Sequence, residues 1–458
     1  MNTRLILTFA LAIIFSSCTN TTNEESKDPV MVFKAVNVIP MDSETVLPNQ
    51  DVVVSGGQVI ALGESGTVEF SQEASVIDAS GKYLMPGLAE MHAHVPPVDD
   101  MEPMKEVLSL FLANGITTIR GMLGHPKHLE LRAQINSGEV LGPHFYTTGP
   151  SFNGSTVKTA EEGAQRVRDQ KQAGYDYLKL HPGLTPETFG AVATTANEVG
   201  IPFVGHVSFA VGIDRAIDAG YSSIDHLDGF VEALVPNIEK VGEEGNGLFG
   251  IFSSEMADTS RISTIIQRLH DNNIWMVPTQ ALAERWMSPV PAEDFLQAPE
   301  MKYMDQATLD NWRARKNELL ADPRFDAEKV LRFIELRRKM IYECQRNGVG
   351  LLLGSDGPQI FNVPGFSVHH ELRYLVDSGL TPFEALQSGT VNVAKYLGKE
   401  NTGVVKIGAV SDLVLLNANP LEDIQNSTKI EGVMLGTNYL SKEDIASMLK
   451  GLEKSSSN

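Results

Sequence analysis

Met85-Pro86-Gly87-Leu88-Ala89-Glu90-Met91-His92-Ala93-His94 is the stretch on which the reading of this chain turns. An apolar segment follows Pro86-Gly87 and ends in two histidines. On a strand, alternate side chains share a face, so His92 and His94 point the same way. Two imidazoles side by side can each give one nitrogen to a single metal ion. Alone, His-x-His is more often an ordinary pair of part-buried histidines. What changes the reading is four further metal-capable residues, each at the end of its own predicted strand.

Outward from this stretch, strand and helix patterns alternate, which favours a parallel sheet. Eight strand candidates can be counted, at 84–94, 115–122, 144–149, 175–181, 202–207, 222–228, 274–280 and 349–356. Eight is the number that closes a (β/α)8 TIM barrel within an α/β fold. Helical patterns fill gaps at 160–173, 188–199 and 211–219. Segments 231–258 and 284–322 are longer than a helix needs and read as insertions over one end of the barrel. The second, rich in Met, Trp and Arg, reads equally as a lid or as a helical packing insert.

Before the barrel come short strands at 32–39, 51–54, 58–62 and 74–78, with Gly56-Gly57 as a hairpin turn. After it, 403–407, 412–416 and 430–435 resume that character. Strands so far apart in sequence predict one small β-sandwich domain built from both chain ends. The expected division is 30–84 for its first part, 85–399 for the barrel, and 400–458 for its second part and a tail helix.

In Tyr175-Asp176-Tyr177-Leu178-Lys179-Leu180-His181 the alternation turns Tyr177, Lys179 and His181 inward and Leu178 and Leu180 toward the helices. A bare ammonium inside is expensive unless paired or functional. Burial lowers a lysine pKa, and a neutral amine can take up carbon dioxide as an anionic carbamate able to bridge two metals. The plainer reading is an ion pair with Asp356 or Glu90. His206, His226 and Asp356 close further predicted strands at their C-terminal ends, where barrel active sites lie. Singly, each is a hydrogen-bonded core histidine or a turn residue. Together, six polar side chains on five strands would face one apolar mouth without partners unless something there binds them.

The N-terminus carries Arg4, an apolar run from Leu5 to Phe15, and then Ser16-Ser17-Cys18. That layout resembles a bacterial lipoprotein signal over residues 1–18, with Cys18 lipidated and residues 19–29 as a flexible tether. Membrane contact is then expected only through that lipid, in the cell envelope; plain secretion is the alternative. Cys344 is the other cysteine, so no internal disulfide is expected. It reads as a packed thiol in a helix. The net charge of −21 argues against nucleic acid as a partner.

The chain resembles the amidohydrolase superfamily of metal-dependent hydrolases, most of all its imidazolonepropionase-like and prolidase-like branch. The residues that carry the resemblance are Met85 to His94, Lys179, Gly205-His206, Asp225-His226, Gly354-Ser355-Asp356, the run Gly379 to Leu386 and the run Gly408 to Val414. The resemblance implies that His92 and His94 bind a buried metal and that carboxylated Lys179 bridges it to a second. It implies that His206 and His226 bind the second metal, while Asp356 binds the first and serves as general base. Two divalent ions are implied, with zinc favoured by imidazole and carboxylate ligands. The implied reaction is hydrolysis of a C–N bond in a small molecule: an amide, cyclic amide or dipeptide. His125 and His181 are the substrate-binding candidates, and Gly205 and Gly354 would let backbone approach closely. Glu90 stands where relatives often have Asp, which suits a supporting role. Residues 149–154 lack the Gly-Gly-His of related peptidases, so dipeptide specificity is not carried over. The alternatives are a lactone or phosphotriester hydrolase on the same site, or a binding lipoprotein on an inactive barrel. A homo-oligomer is compatible with either.

Overall fold

A computed structural model of the chain describes residues 29–454. The expected signal segment, Cys18 and the tether before residue 29 lie outside them. Five strands come first: β1 (Met31–Val38), β2 (Leu47–Ser55), β3 (Gln58–Glu64), β4 (Ser75–Asp78) and β5 (Tyr83–Pro86). Seven short strands follow: β6 (Leu88–Ala93), β7 (Ile116–Gly121), β8 (His144–Thr147), β9 (Leu178–Leu180), β10 (Phe203–Gly205), β11 (Ser223–Asp225) and β12 (Trp275–Val277). The last three are β13 (Leu413–Leu416), β14 (Ile430–Leu435) and β15 (Asn438–Ser441).

Both chain ends meet in one eight-stranded sheet, ordered β15-β14-β13-β5-β1-β2-β3, with β4 on β1. β5 is the seam, antiparallel to β13 and parallel to β1. The sheet forms because Val- and Leu-rich runs fit a pleated surface. Phe33, Val36, Val52, Val54, Leu84, Leu413 and Leu415 bury together as a core of their own. Each fully buried side chain of this size contributes about 1.5–3 kcal/mol. The expected sandwich is thus present in part: the terminal strands are joined, but in a single sheet.

The strand expected at 84–94 is two strands. Gly87 N–H bonds to Asp412 O, and a Cβ there would fall 2.3 Å from Thr117 Oγ1. That contact requires glycine and turns the chain from the terminal sheet into β6. Residues 403–407 form turns rather than a strand, β15 was not anticipated, and the tail helix is Lys442–Leu452.

The remainder is a mixed α/β fold. Its parallel strands pair as two sheets, β6-β7-β8 and β12-β11-β10-β9, rather than as one closed ring. Single parallel bridges connect Thr148 with Tyr177, Phe152 with Leu180 and Met276 with Leu351. The segment 349–356 contributes that last bridge instead of a full strand. Met91 N–H also bonds to Leu353 O at 2.8 Å. Helices follow at Ala160–Ala173, Pro186–Val199 and Gly212–Ala219, the first two opened by Thr159 and Thr185 capping boxes.

Both predicted insertions are present. The second has its own apolar cluster, with Ala292, Met301, Tyr303 and Trp312 packed on Ile360, Phe361 and Val363. Buried Lys316 donates to the carbonyls of Arg285, Trp286 and Ser288. Such an insert is packed down rather than left as a loose flap. Cys344 is buried in the helix Ala327–Arg346. Among the described residues, no helix is long and apolar enough to cross a membrane.

Candidate metal centre

Strand ends place the site. β6 delivers His92 and His94, β9 delivers Lys179, and His206 and His226 follow directly on β10 and β11. Asp356 follows the Leu351 bridge. His94 Nε2 lies 2.7 Å and His92 Nε2 3.5 Å from Asp356 Oδ1. One ligand atom from each of these three residues falls within 4.8 Å of the others. Lys179 Nζ is 3.4 Å from His92 Nε2. The His226 ring stands 4.5 Å from that of His92 and 4.4 Å from that of His206, centroid to centroid. The structure therefore brings together the whole expected set: His92, His94, Lys179, His206, His226 and Asp356. The acid nearest Lys179 is Asp225, at 3.9 Å, not the expected Asp356 or Glu90.

Several groups fix these side chains. His206 Nδ1 bonds Asp228 Oδ2 at 2.9 Å, and His226 Nδ1 bonds Thr279 Oγ1 at 2.9 Å. Each bond fixes a ring and leaves its Nε2 free. Glu90 binds the backbone N–H of His92 and of Ser355, each from Oε1, and also the Ser355 hydroxyl. It thereby clamps β6 to the segment 349–356. Gly205 sits at φ 115°, and a Cβ there would fall 2.9 Å from Lys179 Cδ; one at Gly354 would fall 3.0 Å from His92 N. Both glycines allow the close approach expected of them.

The site is strained and mostly buried. His226, Asp356 and Thr279 have φ of 64°, 65° and 46°, which for non-glycine residues costs about 1–3 kcal/mol each and clusters at functional sites. Burial pulls Lys179 down to about 8 against the opposing pull of Asp225 and Asp356. Burial first, then the Lys179 charge, holds His206 down at about 3. Burial likewise holds His92 and His226 well below their ordinary range and pushes Glu90 up to about 8. Burial thus favours the neutral, ligand-competent form of His92, His206 and His226. His226 Nε2 is buried without a hydrogen-bond partner, and so are His92 Nδ1 and Asp225 Oδ2. The last two lie 3.0 Å apart but out of hydrogen-bond alignment. Free imidazole nitrogens beside a carboxylate, in a site this buried, fit a divalent cation.

The two substrate candidates separate. His181 stacks on His206 at 5.0 Å, its Nδ1 is buried and unpartnered, and it lines a cleft with Ser151, Asn153, Gly154 and Ser155. His125 caps the helix Pro126–Asn136 by accepting from Lys127 N–H, and its Nε2 stands 3.9 Å from Asp99. Its contacts are those of a helix cap, which the Pro at the next position signals. His369 and His370 are packing residues, bonded to Ser427 and Glu300.

Sequence reasoning left Asp228, Thr279 and Phe249 unassigned. Phe249, from the first insertion, lies on the rings of His206 and His226 at 6.1 and 5.2 Å. For Asp228 there was a readable signal, an acid two residues beyond a candidate ligand. Phe249 had none.

Strand ends thus bring four imidazoles, an amine and a carboxylate together on a mixed α/β fold. The amidohydrolase family model matches residues 83–440, and the chain belongs to that family. It is a hydrolase of carbon–nitrogen bonds, in a family that works with divalent metal ions. Ochratoxinase of Aspergillus niger is 22% identical over 432 residues, covering 86% of this chain and 83% of that protein. Bottromycin amidohydrolase superposes with a TM-score of 0.69 at 23% identity, covering 92% of this chain and 89% of its own. A Xaa-Pro dipeptidase with methionine bound in its active site gives 0.65 at 20% identity, covering 90% and 100%.

Proposed function

We propose that this chain hydrolyses an amide, cyclic amide or dipeptide bond at a pair of divalent metal ions held by His92, His94, Lys179, His206, His226 and Asp356. The reading belongs with the imidazolonepropionase-like and prolidase-like members, and zinc suits its donors. One observation carries it: two buried imidazoles (His92 and His226), two part-buried ones (His94 and His206), a buried amine and a carboxylate meet at the strand ends, with His226 Nε2 left unpartnered. The strands would close as a (β/α)8 barrel; the single bridges to Thr148, Phe152 and Leu351 and the Met91–Leu353 bond support this. When bound, such ions supply an acidified water and a Lewis acid for the scissile carbonyl.

The chain's own groups do the rest. Lys179 Nζ, neutral in part through burial, adds carbon dioxide to give a carbamate and a proton, which turns a repelling cation into an anionic ligand. Asp356 carboxylate takes the proton of the attacking water and returns it to the leaving nitrogen. Asp228 and Thr279 hold His206 and His226 still, while Phe249 keeps water off those two rings. His181 and the cleft beside it receive the part of the substrate beyond the scissile bond.

Elemental analysis and a panel of dipeptides, cyclic amides, lactones and phosphotriesters test this together. The expected result is one to two equivalents of metal and turnover on a C–N substrate. Lactone or phosphotriester turnover alone would move the reaction to the alternative bond. Metal-free protein that neither binds zinc nor turns over any of these would leave a binding protein. Cys18 as a lipidated envelope anchor belongs to the same proposal, supported by Leu5 to Phe15 and Ser16-Ser17-Cys18. Mass spectrometry of the mature N-terminus, with and without Cys18→Ala, tests it.

A further inference from the structure

Beneath the histidines lies a buried arginine that the mechanism above does not use. Arg120 stands on β7 with no exposed surface. Its Nε donates to Met91 O at 2.8 Å, and Nη1 donates to Ser223 Oγ at 3.0 Å and Tyr396 OH at 2.9 Å. Nη2 donates to Asp225 Oδ1 at 3.3 Å. The guanidinium carbon lies 5.5 Å from the ring centres of both Tyr177 and Tyr396. Asp225 is equally enclosed. Its Oδ1 takes Arg120 and the Ser223 hydroxyl, the latter at 3.2 Å. Its Oδ2 is left facing His92 Nδ1 at 3.0 Å.

We infer that Arg120 is a positioning residue for the metal centre, acting on His92 through Asp225 and through the backbone of Met91. The inference rests on His92 being a metal ligand.

The geometry is a hold at two points. One arm fixes the carbonyl of Met91, the residue before His92, and so fixes where the strand presents the ring. The other arm holds Asp225 with Oδ2 turned to the imidazole. A carboxylate oxygen 3.0 Å from Nδ1, though out of hydrogen-bond line, favours by its charge the tautomer with the proton there, which leaves Nε2 as a lone-pair donor toward Asp356, His94 and Lys179. Buried structural arginines need only satisfied donors, as Arg337 shows with acceptors at Gln280 Oε1, His226 O and Pro278 O. Arg120 differs in spending one arm on a carboxylate whose second oxygen makes no hydrogen bond and lies 3.0 Å from His92 Nδ1 and 3.9 Å from Lys179 Nζ, both ligand candidates. A lysine at 120 would keep the charge but could not reach both Met91 O and Asp225, since it lacks the planar fork.

The test uses the full chain with Zn2+ and Co2+ as probes. Metal affinity is read by competition with a chromophoric chelator, the Co2+ d–d spectrum reports ligand geometry, and the Tm of metal-free protein reports fold. Arg120→Lys and Asp225→Asn should each weaken the tighter-bound ion about ten- to hundredfold, the usual effect of losing a partner of a metal-ligating histidine. Both should change the Co2+ spectrum, and the double variant should lose no more than the worse single one. Ser223→Ala is the milder variant in case Arg120→Lys does not fold; it should give a smaller loss in the same direction. Wild-type affinity and spectrum in Asp225→Asn and Ser223→Ala, or a Tm drop alone in Arg120→Lys, would make Arg120 merely structural and overturn the inference. If wild-type protein binds neither ion, the metal reading itself fails, and this inference with it.

Discussion

The terminal sheet and the parallel strands are built on opposite terms. The sheet has strands of up to nine residues, an apolar core that includes Phe33 and Leu415, and continuous pairing, with bulges, across both chain ends. Four of the parallel strands have three residues each, and beyond their ends stand buried histidines, acids and a lysine. The sheet has left-handed residues too, Ala35 and Asn49, but they stand at irregularities in β1 and β2, away from the histidines. The strand ends hold His226, Asp356 and Thr279 in the left-handed region and leave imidazole nitrogens unpartnered. Stability and chemistry are thus assigned to different parts of the molecule, and substitutions in each should be read out separately.

The sharpest way to break that comparison is Asp356→Asn, which removes the proposed proton carrier. The expected loss in kcat is about 10²–10⁴-fold, with Tm of the metal-free protein nearly unchanged. An equal loss of fold would show that the two regions are not separable. Phe33→Ala should do the reverse. It should destabilise by about 3–5 kcal/mol in denaturant titration and leave kcat unaltered well below the transition. Thr279→Val keeps the shape and the β-branch but removes the bond to His226 Nδ1. Zinc affinity should fall about ten- to hundredfold in the same chelator competition, without a matching change in apo stability.

The smallest effect belongs to the junction. His144 Nε2 lies 2.9 Å from Asp412 Oδ2, joining β8 to the start of the last sheet segment, and that bond raises the histidine pKa above its ordinary 6.5. A raised histidine adds stability in full below its unfolded value and loses it as pH climbs through the folded one. His144 is half-exposed, so His144→Asn should destabilise by less than about 1 kcal/mol at pH 5.5 and by nothing measurable at pH 9. A difference that grew with pH would contradict the assignment.

Both regions left marks in the sequence, of different kinds. The terminal strands were legible because alternating apolar residues and glycine turns are local signals, and 430–435 came out to the residue. The candidate ligands were legible because each histidine, lysine or aspartate follows an apolar run. Their supports were not. Asp225 meets His92, and Arg120 meets Asp225, across more than a hundred positions, so nothing near either residue announces the pair. The strand breaks were equally hidden. Gly87 must lack a side chain because of Thr117, a contact that exists only once β6 and β7 are side by side. His125 shows a second kind of signal: its Nδ1 contact is local, a helix cap announced by Pro126, while its residue type suggests chemistry.

The most direct test is anomalous diffraction at the zinc edge from crystals of active protein grown with zinc. The account predicts density among the strand ends, with zinc about 2.0–2.2 Å from His92, His94 and Asp356, a second peak at His206 and His226, and extra density on Lys179 Nζ. Active crystals with no anomalous peak within ligand distance of these side chains would contradict it.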